Sequence, residues 1–221
     1  YIASKEEIVQ RAAILLKDVD YLIEADYPIP TIPDVPVNDK DRAIGRIIAD
    51  YVPDGACIQL GIGGIPNAVA EFLKDKNDLG IHTELITSGM ADLVKMGVVT
   101  NKRKNINKGQ MVATMILGNN ALYDFCDKNP GVALYDGAWV NDPYVIAQND
   151  NQISINTSLE VDLTGQCASE SIGSRQFSGT GGQSDTAIGA RCPRADVPLL
   201  PCTLPQWSRI RLPVNAARFQ R

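Results

Sequence analysis

The 221-residue sequence contains one histidine, His82, and its five cysteines include no C-x-x-C pair. A multi-histidine metal site is therefore impossible, and no closely spaced cysteine pair replaces it, so we expect no bound metal. An odd number of dispersed cysteines fits a reducing environment better than an oxidising one. The cysteine pattern therefore predicts a cytoplasmic protein.

Positively charged residues are fewer than negatively charged ones: the sequence has 21 Lys and Arg residues and 26 Asp and Glu residues, for a formal net charge of −5. A surface of that sign argues against nucleic acid as a partner. One basic run, residues 102–104, lies among Asn and Gly residues and is expected to be a solvated loop. No signal-peptide pattern and no apolar run long enough for a membrane helix is found, so no membrane partner is expected.

Helix and strand patterns alternate along the chain, as in α/β proteins, and a 44% hydrophobic content suffices for one good core. A capped helix is predicted over residues 4–16, a strand over 19–25 and a helix over 39–51. Four prolines within residues 28–36 indicate an extended linker between the strand and the second helix.

A glycine-rich segment is the most informative part of the sequence. Residues 61–67 read Gly-Ile-Gly-Gly-Ile-Pro-Asn; an apolar run typical of a buried strand precedes them, and Pro66 suits the first turn of a following helix. Glycines let backbone N–H groups approach an anion, and a helix N-terminus adds positive potential. Glu84 lies in the next predicted strand, residues 81–87, so the segment and this carboxylate are expected to face one crevice.

Two other interpretations fit the same residues. A dinucleotide-binding loop has the pattern G-x-G-x-x-G, with an acidic residue about 20 positions later that holds a ribose hydroxyl. Glu84 has nearly that spacing, but Pro66 takes the place of the third glycine. The simplest alternative is a tight strand-to-helix turn, with Glu84 merely at the end of a strand.

Several separated motifs make the chain resemble the glutamate-dependent CoA-transferases, specifically the butyryl-CoA:acetate and 4-hydroxybutyrate CoA-transferase group related to acetyl-CoA hydrolases. The resemblance covers residues 19–190 in the family's order. The motifs are QLGIGGIPNAV at 59–69, IHTE at 81–84, GM at 89–90, YDGAW at 135–139, SIN at 154–156, EVDLTGQ at 160–166, SESIG at 169–173 and SGTGGQ at 178–183. The resemblance implies an open α/β fold with a mostly parallel sheet and flanking helices.

The same resemblance implies how the residues would act. Glu84 would be the nucleophile that forms a covalent glutamyl-CoA thioester, so coenzyme A is a substrate and no cofactor is permanently bound. Backbone N–H groups of the loop would stabilise the oxyanion. The residues expected to contact CoA or the reacting acyl group are Gly61, Ile62, Gly63, Gly64, Ile65, Leu159 and Gly182.

Other residues keep open alternatives. Glu160 and Asp162 alternate along a predicted strand and could rival Glu84, although neither follows the glycine loop in the family's order. A plain turn at residues 179–182 is as compatible with the sequence as a wall of the CoA channel. His82 is expected to serve packing or to be exposed, and Tyr135 and Trp139 to belong to the core rather than to an acyl pocket.

The resemblance also predicts the domain organisation. Residues 1–38 would end a first CoA-transferase domain and its linker, and residues 39–190 would form a second, catalytic domain that is cut short. Residues 191–221 contain six arginines, five prolines and one acid, and are expected to be an out-of-frame or disordered tail. The partners would be an acyl-CoA and a short-chain carboxylate, and the full-length parent is expected to be a homo-oligomer. Acyl-CoA hydrolysis and a noncatalytic nucleotide-binding fragment are the alternative functions.

Overall fold

Parallel strand pairs with helices packed against them make up most of the computed structural model, which describes residues 19–191. The strands are β1 (Cys57–Leu60), β2 (Gly80–Ile81), β3 (Leu85–Ile86), β4 (Met111–Ala113), β5 (Met115–Ile116), β6 (Val132–Leu134), β7 (Gln152–Ile155), β8 (Glu160–Val161), β9 (Cys167–Ala168), β10 (Ser171–Ile172) and β11 (Arg175–Gln176). The helices are α1 (Asp39–Asp50), α2 (Gly64–Phe72), α3 (Ser88–Lys95), α4 (Asn120–Cys126), α5 (Gly137–Val140), α6 (Pro143–Ile146) and α7 (Gln183–Arg191). The predicted helix at 4–16 and nearly all of the predicted tail lie outside the described residues.

Strand pairing confirms the predicted α/β fold class. Strand β1 lies between β2 and β7 and is parallel to both, while β3 pairs with β5 and β4 with β6, again in parallel. A parallel bridge from His82 to Val112 connects the end of β2 to β4. The hairpins β8–β9 and β10–β11 are antiparallel and follow the parallel part of the chain.

The main hydrophobic core lies between this sheet and helices α1, α2 and α3. Ile58, Ile81 and Met90 are fully buried in it, and burial of such a side chain stabilises the fold by about 1.5–3 kcal/mol. Helices α1 and α2 approach closely because Gly45 has no side chain: a Cβ there would lie 2.8 Å from the backbone carbon of Ala68. The apolar faces of these helices therefore hold α2, and with it the end of the glycine loop, firmly on the sheet.

The segment before α1 is extended, as the prolines predict, but the predicted strand at 19–25 is wrong. Tyr21 is 90% exposed, and no strand of the described chain pairs with this segment. Further along, the linker is attached to the α/β unit: Ile32 N donates to Gly118 O at 3.0 Å, and Asn67 Nδ2 donates to Val35 O at 3.0 Å. Hydrogen bonds to side chains and carbonyls thus replace sheet pairing here.

The basic run at 102–104 is only partly a solvated loop, because Lys104 is 2% exposed. Its Nζ donates to Ile81 O at 2.8 Å and to Gln110 O at 2.7 Å, which ties the end of β2 to the start of β4. Burial lowers the pKa of Lys104 to about 8. Gly80 makes room for this side chain, since a Cβ at Gly80 would lie 2.6 Å from Lys104 Cγ.

Residues 19–191 contain neither a candidate membrane-spanning helix nor a candidate metal cluster. Over this range no helix is both long enough and apolar enough to cross a bilayer. The same range contains no cluster of three or more His, Cys, Asp or Glu side chains that could hold a metal ion.

Candidate active site

Three segments meet at the carboxyl edge of the central sheet because β1, β2 and β7 are parallel. Gly61 follows β1, Asn156 follows β7 and Glu84 comes shortly after β2. The carboxyl ends of parallel strands are where α/β proteins place their ligands. The topology therefore brings the predicted loop and the predicted nucleophile to the same edge.

Glu84 is partly buried, and one of its carboxylate oxygens is held by two donors. Oε2 accepts hydrogen bonds from Asn141 Nδ2 at 3.2 Å and from the backbone N of Gly182 at 3.1 Å. Its backbone carbonyl accepts from Thr114 N and Met115 N, both at 3.0 Å. Within residues 19–191, no hydrogen bond holds Oε1. One oxygen of Glu84 is therefore held by two donors and the other by none within these residues.

Gly182 lies directly against the Glu84 carboxylate. A Cβ at Gly182 would overlap Glu84 Oε2 and would come within 2.6 Å of Asn141 Nδ2. Gly182 also immediately precedes α7 and its carbonyl accepts from Thr186 N at 2.9 Å, so the carboxylate sits at the positive end of that helix. The structure makes Gly182 a hydrogen-bond donor to Glu84, and its place in the wall of the CoA channel stays a prediction.

The glycine loop between β1 and α2 is more open than the surroundings of Glu84. Ile62 is 60% exposed, and Gly63 has φ +117° and ψ −175°, a conformation essentially restricted to glycine. The N–H of Gly61 donates to Ile155 O at 2.9 Å, so Gly61 is already engaged within the sheet. This corrects the prediction that every N–H from Gly61 to Ile65 could face an oxyanion, and leaves those of Ile62, Gly63, Gly64 and Ile65.

Gly64, the first residue of α2, is required for a different reason. A Cβ there would overlap Asp41 Oδ2 and lie 3.0 Å from Asp41 Cγ. Asp41 is buried, and its carboxylate accepts from Asn38 N at 3.2 Å as part of the N-terminal cap of α1. A carboxylate of the protein itself, Asp41, therefore sits beside the N-terminus of α2. The sequence predicted this N-terminus as a site for an external anion.

A partly buried polar network connects β1, β7 and α7. The Ser154 hydroxyl is 2.7 Å from Gln59 Oε1 and 3.0 Å from Thr186 Oγ1. Asn156 exchanges two hydrogen bonds with Gln59, each 3.1 Å long. Because Thr186 belongs to α7, this network fixes the helix whose first turn carries Gly182.

The rival carboxylates lie in and beside the β8–β9 hairpin. Glu160 is exposed, and its Oε2 accepts from Gly173 N at 3.0 Å. Asp162 closes the β8–β9 turn, where hydrogen bonds, first among them that from the Thr164 side chain, lower its pKa. Leu159 is partly buried and its N donates to Ala168 O at 2.9 Å, which makes it part of the same hairpin. Glu160 and Asp162 thus belong to an antiparallel hairpin, whereas Glu84 lies in the chain between β2 and β3, which each pair in parallel with another strand.

The sequence reasoning missed Asn141, which follows the motif at residues 135–139. The motif indicated the right segment but gave no reason to select Asn141, because an asparagine at a helix end usually serves as a cap. One aromatic expectation is wrong: Trp139 is 37% exposed rather than in the core, although its ring packs against that of Tyr135 at 4.8 Å between centroids. Tyr135 is partly buried and packs against a buried cluster of Val112, Ala133 and Val140, as predicted. His82 is buried, as packing would require.

Comparison with known proteins shows which proteins the chain resembles. Residues 118–206 match the acetyl-CoA hydrolase/transferase C-terminal domain. The chain is 49% identical over 177 residues to a succinyl-CoA:cyclohexane-1-carboxylate CoA transferase of Geobacter metallireducens, covering 80% of this chain and 40% of that protein. It is 48% identical over 177 residues to a 4-hydroxybutyrate coenzyme A transferase of Clostridium kluyveri, covering 80% and 41% of the two chains.

A solved structure gives the same result. The crystal structure of RipA from Yersinia pestis superposes with a TM-score of 0.76 at 42% identity, covering 84% of this chain and 43% of RipA. Residues 118–206 therefore carry the C-terminal domain of the acetyl-CoA hydrolase/transferase family, and the chain is similar to CoA-transferases over a longer stretch. It spans about two fifths of the length of these curated relatives, 40% and 41% respectively.

Proposed function

We propose that the protein transfers CoA between an acyl-CoA and a short-chain carboxylate, with Glu84 as the nucleophile. The observation that carries this proposal is the asymmetric setting of the carboxylate. Oε2 is held by Asn141 and Gly182, at 3.2 and 3.1 Å, while Oε1 has no hydrogen bond within the described chain. A carboxylate fixed by one oxygen at the edge of a parallel sheet is oriented for attack by the other.

The reaction needs a nucleophile but no dedicated general base, since carboxylates are ionised near neutral pH. Oε1 attacks the thioester carbonyl, the carbon–sulfur bond breaks, and CoA thiolate leaves behind a mixed anhydride. The thiolate then attacks the glutamyl carbonyl and releases the first acyl group as its carboxylate, giving glutamyl-CoA. A second carboxylate reverses both steps and leaves as the new acyl-CoA.

Each tetrahedral step develops an oxyanion, and the loop offers donors for it. The N–H groups of Ile62, Gly63, Gly64 and Ile65 make no hydrogen bond to a loop or strand carbonyl in residues 19–191. An N–H aimed at an oxyanion contributes about 3 kcal/mol in comparable sites. The pantetheine arm would pass over the open face of Gly63, where a Cβ would meet nothing within 4 Å.

For substrates we propose butyryl-CoA and acetate, in fermentative butyrate formation in the cytoplasm by a homo-oligomeric enzyme. A relative from Anaerostipes caccae is named butyryl-CoA:acetate CoA-transferase.

The second candidate function is hydrolysis, in which water instead of a carboxylate attacks glutamyl-CoA and releases CoA. More distant relatives, one from Candida albicans, are named acetyl-CoA hydrolase, which favours keeping this alternative.

Trapping the covalent intermediate tests the proposal. We expect Glu84→Gln to abolish CoA transfer from butyryl-CoA to acetate with little change in folding, because a partly buried carboxylate at a sheet edge adds little to the core. Incubation of the unaltered protein with butyryl-CoA, followed by borohydride reduction and peptide mass spectrometry, should place the modification on Glu84.

The matched control is Glu160→Gln, which removes the exposed carboxylate of the β8–β9 hairpin and should leave transfer within about twofold of the unaltered protein. Modification of Glu160 instead of Glu84 would overturn the assignment. Acetate-independent release of CoA at the same rate as transfer would favour the hydrolase.

A further inference from the structure

The single histidine is buried directly beneath the proposed site. His82 is 1% exposed and lies two residues before Glu84 in the chain. Its Nε2 is 2.8 Å from Val140 O, and because a carbonyl can only accept, Nε2 must carry the proton. Nδ1 is buried and has no hydrogen-bond partner within residues 19–191.

The carbonyl that His82 holds belongs to the last residue of α5. Asn141 follows it as the C-cap, with its N donating to Gly137 O at 2.9 Å. The Asn141 side chain then reaches Glu84 Oε2 at 3.2 Å. His82 and Glu84 are thus connected twice: through Thr83 along the backbone, and through Val140 and Asn141 in space.

We propose that His82 is a positioning residue, whose Nε2–H fixes the end of α5 and thereby holds the Asn141 amide against the Glu84 carboxylate. Helix α5 has four residues, and a helix this short gains little stability from its own hydrogen bonds. An external donor to its final carbonyl therefore adds to what fixes the direction of Asn141, beside the Asp136 cap and the buried Val140 side chain.

The surroundings of the imidazole suit a fixed neutral donor. Gln152 Nε2 donates to His82 O at 3.2 Å, and the Trp139 ring lies 6.0 Å from the imidazole centroid. Burial lowers the pKa of His82 to about 4, so the ring stays neutral at ordinary pH and keeps its proton on Nε2. The imidazole therefore orients the site without adding a positive charge beneath the nucleophile.

The catalytic meaning of this inference rests on the proposed function, but its first test does not. In ¹⁵N-edited NMR spectra the chain has one imidazole, which should show a protonated Nε2 and a bare Nδ1 between about pH 6 and 8. The Asn141 side-chain amide signal should move in Glu84→Gln. It should move in the same direction in His82→Phe, which keeps a ring but loses the donor, and stay near its original position in His82→Gln, which retains an amide donor.

Kinetics provide the second test where transfer is active. We expect His82→Phe to lower kcat by about 10-fold to 100-fold with little change in KM, since a loss confined to the transition state appears in kcat. His82→Gln should recover most of that loss. In an Asn141→Ala background, His82→Phe should reduce kcat by less than twofold further, because the route through Asn141 is already cut.

Three results would overturn the inference. They are a His82 proton on Nδ1, an Asn141 amide signal that does not move in His82→Phe, or losses of kcat that are fully additive between His82→Phe and Asn141→Ala. Thermal unfolding of each variant identifies any that fails to fold, and His82→Gln then decides the kinetic test. Absence of transfer in every variant, including the unaltered protein, would count against the proposed function and leave the NMR test in force.

Discussion

The two glycine segments of the chain, residues 61–64 and 179–182, look alike in sequence and differ in what their glycines do. In the first, Gly63 is required by its backbone conformation, with φ +117° and ψ −175°, and a Cβ there would meet nothing within 4 Å. Gly64 is required by contact, because its Cβ would overlap Asp41. For none of the three glycines of this segment is a Glu84 atom among the nearest neighbours of an added Cβ.

In the second segment, residues 179–182, one glycine lies directly against Glu84. Cβ atoms at Gly179 and Gly181 would meet nothing within 4 Å, whereas one at Gly182 would overlap the Glu84 carboxylate. A single glycine of this segment therefore has a steric reason to be glycine, and that reason is the proposed nucleophile. Both segments are rich in glycine, but only Gly182 among their glycines would contact Glu84 through an added Cβ.

The largest effect that sharpens this comparison is expected from Gly182→Ala. The added methyl group would displace Glu84 Oε2 and Asn141 Nδ2, so we expect transfer to fall about 100-fold or more, equivalent to roughly 2.7 kcal/mol in the barrier. The matched control is Gly181→Ala, whose methyl group has open space and should leave turnover within about threefold. Equal turnover in the two variants, measured with butyryl-CoA and acetate, would show that Gly182 does not shape the site.

A smaller effect is expected in the first segment from Gly63→Ala. The observed conformation is strained for any residue with a Cβ, so the variant should lose about 1–3 kcal/mol of unfolding free energy. Urea denaturation measures that loss, with Gly179→Ala as the control that adds a methyl group without a positive-φ penalty. A Gly63→Ala protein as stable as the control would mean that the loop adopts another conformation in solution.

Local sequence patterns predicted the elements that local physics determines. The apolar run ending at Leu60 forms β1, Pro66 lies in the first turn of α2, and the prolines before α1 give an extended segment, because each depends on residues adjacent in the chain. The position of Glu84 at the same sheet edge as the loop also followed from the order of two predicted parallel strands.

Contacts between distant residues could not be predicted in this way. Asn141 reaches Glu84 across 57 positions and Gly182 reaches it across 98. Lys104 was expected in solvent because charged runs usually are, but two carbonyl oxygens and the space over Gly80 make its burial possible. The predicted strand at 81–87 likewise divides into β2 and β3, because the intervening residues pair with different neighbours.

The smallest effect, and the sharpest distinction within the first segment, concerns Gly64 and Asp41. Taken by itself, the lower entropy of the unfolded chain should raise the unfolding free energy of Gly64→Ala by about 0.5–1 kcal/mol. It should also push the Asp41 carboxylate off Asn38 N, which costs about 1 kcal/mol of capping energy. The two terms nearly cancel, so we expect Gly64→Ala to be neutral to slightly destabilising.

With Asp41→Ala already present, the capping energy is lost and no carboxylate remains to collide. Gly64→Ala should then stabilise the protein by about 0.5–1 kcal/mol, which is a change of sign between the two backgrounds. Urea denaturation of the four proteins in this cycle measures the coupling. If Gly64→Ala changed stability equally with and without the Asp41 carboxylate, the contact with Asp41 could not be the reason for glycine at this position, and access of a ligand to the loop would take its place.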